Sequence, residues 1–95
     1  MTYHLFAAWE AWTGRPINKW VKACDVDAEN GRGRIEFTPH RADAMPFADF
    51  LSAMEFWKRQ STVTPLRDDG KPNRPLTAYT VQPVREDQQP KVMTP

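Results

Sequence analysis

CDVDAENGRGRIEF, residues 24–37, carries Asn30-Gly31 at its middle and alternates apolar with charged residues on either side. Asn-Gly is the preferred pair for a two-residue type I′ turn, because both central positions need positive φ. A turn centred there sets Glu29 against Arg32, Asp27 against Arg34, Val26 against Ile35 and Cys24 against Phe37. One face is then apolar: Cys24, Val26, Ala28, Ile35 and Phe37. The other opposes Asp27 and Glu29 to Arg34 and Arg32, cross-strand pairs contributing about 0.2–1 kcal/mol each. Asp25 against Glu36 is the one like-charge mismatch. The stretch predicts an antiparallel hairpin.

The flanks read as helices. Leu5, Phe6, Trp9 and Trp12, with Ala7, Ala8 and Ala11 between them, have helical spacing. Thr2 can cap the start, and Gly14 with Pro16 supplies a stop. The alternation Tyr3, Leu5, Ala7, Trp9 would also suit a strand; the helix is the reading adopted. Ile17, Trp20, Val21 and Cys24 fall at i, i+3, i+4 and i+7 behind Pro16, which predicts a helical turn from Pro16 to Lys22 running into the first strand. Pro39 ends the second strand. Pro46 opens a further helix with Phe47, Phe50, Leu51, Met54 and Trp57 on one stripe, Phe56 off it, and Lys58 and Arg59 at its C-terminal end. The sum is an α-β-β-α unit of the α+β class, residues 1–62, with the hairpin covered by helices.

The remainder differs in composition. Ten of the eleven aromatics lie between Tyr3 and Trp57, whereas six of the nine prolines lie between Pro65 and Pro95. Residues 63–95 therefore read as an extended, proline-rich tail. Asp68-Asp69-Gly70 signals a turn, and Pro72, Arg74 and Pro75 favour an extended path. Leu76 to Val81 alternates like a strand, and Pro83 confines it to a sheet edge. Two placements are open for this 76–81 segment: a third strand for the chain's own hairpin, or a strand added to a partner's sheet.

Composition also bounds function. Thirteen Lys/Arg against twelve Asp/Glu give a net charge of +1, without the basic excess typical of nucleic-acid or membrane-surface binders. No apolar run approaches the roughly 20 residues that span a bilayer, and MTYHLFAAWEAW does not read as a signal peptide. Cys24 is the single cysteine, so no internal disulfide forms and a reducing, cytoplasmic setting is expected. His4, His40, Cys24, Asp25 and Asp27 lack metal-ligand spacing. No phosphate-binding glycine motif or catalytic constellation appears, so neither enzyme activity nor a cofactor is expected. A 62-residue unit struggles to bury all its aromatics, and exposed Trp and Tyr anchor protein interfaces. The expected activity is binding of another protein or assembly, as an accessory subunit or a small virus-encoded effector. The residues assigned to the partner are Trp9, Trp12, Trp20, Trp57, Arg74, Leu76, Tyr79 and Val81. The alternative is nucleic-acid binding through Arg15, Arg32, Arg34 and Arg41.

Overall fold

In the computed structural model, which describes residues 2–92, the chain forms a four-stranded antiparallel sheet in the order β3-β2-β1-β4. The strands are β1 (Tyr3–Glu10), β2 (Pro16–Asp25), β3 (Arg34–Thr38) and β4 (Tyr79–Arg85). A helix, Phe50–Trp57, and two 3₁₀ turns, Arg41–Asp43 and Pro75–Ala78, accompany the sheet. The domain belongs roughly to the α+β class, but the sheet dominates it.

The core lies on both faces of that sheet. Leu5 joins Val21, Phe47, Ala53, Phe56 and Leu76 on one side; Phe6 joins Trp20, Ala44 and Val84 on the other. Residues 3–10 and 16–25 are thus strands, where helical spacing predicted a helix and a helical turn. Two features produce the misleading pattern. A strand buried on both faces places apolar residues side by side, as in Leu5-Phe6 and Trp20-Val21, instead of alternating them. Each strand also carries a bulge, seen as a one-residue slip in register between Ala7 and Trp9 and between Val21 and Ala23. An extra residue in the strand brings positions i and i+3 to the same face. Val21 and Cys24 accordingly both pack into the same core cluster. A bulged strand imitates a helix.

β2 and β3 pair as the hairpin reading expects, but in a register shifted by two residues beside the loop and by three beyond the bulge at Val21/Ala23. Asp25 lies opposite Arg34, Cys24 opposite Ile35 and Val21 opposite Phe37. The even shift beside the loop keeps each side chain on its face, and the bulge absorbs the odd one beyond it, so Cys24, Ile35 and Phe37 still pack against the core. The predicted two-residue turn is replaced by a longer connection, residues 26–33. Asn30 and Gly31 do take positive φ, 59° and 90°, but Glu29 at 54° and Gly33 at 84° share the bend.

Asp27 is the cause of the wider loop. Its carboxylate accepts hydrogen bonds from Ser61 Oγ at 3.0 Å, Thr62 N at 2.6 Å, Thr62 Oγ1 at 2.6 Å and Val63 N at 3.2 Å. That engagement draws it away from Arg34. The glycines then let the loop close against the 61–75 segment. A Cβ on Gly31 would stand 2.5 Å from Thr64 Cβ, and one on Gly33 2.5 Å from Pro75 Cβ. The Asn73 amide seals the contact, donating to Gly31 O at 2.6 Å and Thr64 O at 2.9 Å.

The hydrogen bonds to Asp27, led by those of Thr62, hold its carboxyl down at about 2. An unfolded aspartate titrates near 3.9. The stabilisation is therefore complete above about pH 4 and is lost as pH falls towards 2. Asp27→Asn should lower the urea midpoint at neutral pH, with the gap to the native chain closing between about pH 4 and pH 2. Urea titrations across that range provide the check, and a gap indifferent to pH would contradict the assignment.

The helix begins later than its apolar stripe suggests. Asp49 caps it, its Oδ1 accepting from Ser52 N at 2.7 Å. Phe47 precedes the helix and is bridged to Tyr3 by two backbone hydrogen bonds of 2.8 Å. Phased from Asp49, the helix buries Ala53 and Phe56 and turns Phe50 and Leu51 outward, 51% and 66% exposed. The expected stripe is not the buried face, and Phe56, placed off it, is a core residue.

The C-terminal segment departs furthest from expectation. Pro75–Ala78 forms a 3₁₀ turn whose Leu76 is 0% exposed, and β4 pairs with β1 from Tyr3 opposite Arg85 to Glu10 opposite Tyr79. As far as Arg85, the stretch read as an extended tail is part of the domain. Its strand returns to the chain's own sheet, alongside β1 and not the hairpin. The order is β-β-β-α-β, where α-β-β-α plus a tail was expected. Pro83 is accommodated because β4 is an edge strand. Of the expected tail, residues 93–95 lie outside the described residues.

Candidate functional site

The eight residues assigned to a partner are divided by the fold. Trp20, 6% exposed, and Leu76 are core residues. Trp9, Trp57, Tyr79 and Val81 are half-buried, while Arg74 is exposed. Trp12 alone of the four tryptophans stands largely in solvent, 63% exposed. It sits in the turn between β1 and β2, with Ala11 N held by Ala78 O at 2.9 Å. That bond brings the turn to the start of β4. Trp12 packs edge-on to Tyr79, ring centroids 5.7 Å apart, and Tyr79 packs edge-on to Phe37 at 5.2 Å. The result is a tier of three rings that starts in the core and ends in water.

A second exposed apolar group was missed. Phe50 and Leu51, which the sequence sets on the helix's apolar stripe, face outward, Phe50 resting edge-on to Tyr3 at 6.1 Å. Asp49 caps the helix through Ser52 N and so leaves Phe47 outside it, the part of the reading that the sequence could have supplied.

The arginines assigned to nucleic acid do not gather. Arg15 precedes β2, while Arg32 and Arg34 follow it, so they stand at opposite ends of a ten-residue strand, roughly 30 Å apart at 3.3 Å per residue. Arg34 lies opposite Asp25 and 3.9 Å from Glu29. Arg41 serves the fold. Its guanidinium lies 4.4 Å from the centroid of the Trp20 ring, and it donates to Gln88 O at 2.7 Å and Glu86 O at 3.5 Å. His4 packs edge-on to the same tryptophan at 6.1 Å. Burial, and after it Arg41, lowers the His4 pKa below the usual histidine value, with Glu86 opposing.

No three His, Cys, Asp or Glu side chains converge as a metal site among the described residues. Burial pushes the Cys24 thiol up, against the pull of Arg59, so it is held as a thiol rather than a reactive thiolate. A groove of 540 Å³ beside β4 is lined by Gln82, Pro83, Val84, Gln88, Gln89 and Lys91, a set that contains no carboxylate, imidazole or hydroxyl for acid–base or nucleophilic work. Among the described residues, no helix is long and apolar enough to cross a membrane. Comparisons with protein-family models, curated proteins and solved structures give no match.

Proposed function

We propose that this chain is a non-catalytic binding module that engages another protein through the Trp12–Tyr79 tier, as an accessory subunit of a larger assembly. The observation that carries the reading is the placement of Trp12. A core filled on both faces of the sheet leaves this one tryptophan 63% exposed, propped on a tyrosine that is itself packed inward. A large aromatic held at a defined angle has little conformational entropy left to lose on binding, which is what makes Trp and Tyr effective interface anchors.

Trp12→Ala separates this role from folding. The melting temperature should hold within about 2 °C, since surface substitutions typically cost under ~0.5 kcal/mol. Recovery of the partner by affinity capture from the native cell should fall at least about tenfold, the loss of a residue contributing roughly 2 kcal/mol at an interface. Equal recovery with both chains would reject the tier as the binding surface.

A further inference from the structure

The two edges of the sheet are treated differently. β4 carries Pro83, which removes a donor, and its Gln82 side chain is bracketed by the backbone of Lys91, with bonds of 3.0 and 2.8 Å. β3 has no such cover. Within the sheet it is bonded to β2 alone, and among the described residues no backbone group of 34–38 is hydrogen-bonded outside that pairing. An open row of N–H and C=O groups is a template for another strand.

The side chains on β3 specify which strand. Arg34 and Glu36 are exposed and lie on one face, with Ile35 between them on the other. Arg34 is 3.9 Å from Glu29, whereas Glu36 lies opposite Ala23 and has no ion-pair partner among the described residues. Arg34-Ile35-Glu36 is complementary to itself when run antiparallel. With a two-fold axis at Ile35, Arg34 of each copy meets Glu36 of the other and the two isoleucines meet. An axis at Glu36 would oppose like charges, and a one-residue slip would set Ile35 against a charge. Of the axes at Arg34, Ile35 and Glu36, charge therefore selects Ile35.

We propose that β3 pairs with β3 of a second copy of this chain, antiparallel about Ile35, to give one continuous eight-stranded sheet. The contact is short, well below the roughly 1,200–2,000 Å² of a stable interface, so the dimer is weak and forms with rising concentration.

Sedimentation equilibrium of the full chain from about 10 μM to about 1 mM, at low salt, tests the assignment. The native chain should dimerise, and Arg34→Glu or Glu36→Arg alone should weaken the dimer roughly tenfold or more by opposing like charges. An equimolar mixture of the two variants should restore it, because each altered residue then meets its complement on the other chain. Glu36→Arg faces Ala23 across the sheet, so circular dichroism should show its fold intact. Amide exchange offers a readout free of substitutions: β3 amides of the native chain should slow with concentration while β4 amides do not. A native chain monomeric throughout would overturn the second-copy assignment and leave the edge to an extended segment of another protein. Failure of the mixture to recover would overturn it equally.

Discussion

Deleting residues 75–95 is expected to abolish cooperative unfolding. The deletion removes β4, strips β1 of one of its two neighbours, and takes away Leu76 and Val84, one from each core cluster. It also exposes Gly33, which closes on Pro75 so tightly that a Cβ there would stand 2.5 Å from the Pro75 Cβ. Burying a leucine and a valine contributes roughly 1.5–3 kcal/mol each, and small domains hold only about 5–15 kcal/mol in total. The remaining chain would keep a three-stranded sheet with an uncovered centre. Thermal melting followed by far-UV circular dichroism distinguishes the outcomes. A sharp transition surviving in the 1–74 fragment would mean that the body folds by itself and the segment merely docks.

Trp20→Ala should destabilise the domain by about 3–5 kcal/mol, the usual cost of truncating a buried tryptophan. The residue is the hub of the second core cluster: Phe6 packs edge-on at 5.0 Å, His4 edge-on at 6.1 Å, and Arg41 lies over the ring. Its loss leaves Arg41 without the surface that orients its bonds to the 86–88 backbone, so amide exchange near Glu86 should accelerate together with global unfolding. Chemical denaturation measures the first effect. A cost below about 1 kcal/mol would place Trp20 at the surface, as an interface residue and not a core one.

How much of this was legible depends on which signal each segment carries. The hairpin's existence was, because alternation from Cys24 to Phe37 survives any even change of register. Its turn was not, because Asn30-Gly31 speaks only for local backbone preference, while Asp27 answers to Ser61 and Thr62 more than thirty residues away. The two central strands were misread for a related reason. Periodicity assumes one buried face, and a bulged strand buried on both faces offers Leu5-Phe6 and Val21…Cys24 in a helical cadence. The helix was found but rotated, since Phe47 belongs to a bridge with Tyr3 and not to the helix. Leu76 to Val81 showed its β character, although the strand itself runs from Tyr79 to Arg85, and Pro83 showed its edge position; composition alone made the segment look detached. Among the candidate site residues Trp12 stands out for exposure, whereas Trp20 and Leu76 are claimed by the core. Residue type marks an aromatic as useful at an interface, and only the fold says which aromatics remain free to be used.

Amide hydrogen exchange along β1 tests the central claim, that the chain closes its own sheet by placing β4 beside β1. In a strand flanked on both sides, successive amides point alternately to the two neighbours and all are bonded. The account predicts uniformly slow exchange from Leu5 to Ala7, among the slowest in the molecule. Alternating fast and slow amides along the same residues would show β1 to be an edge strand, and would contradict it.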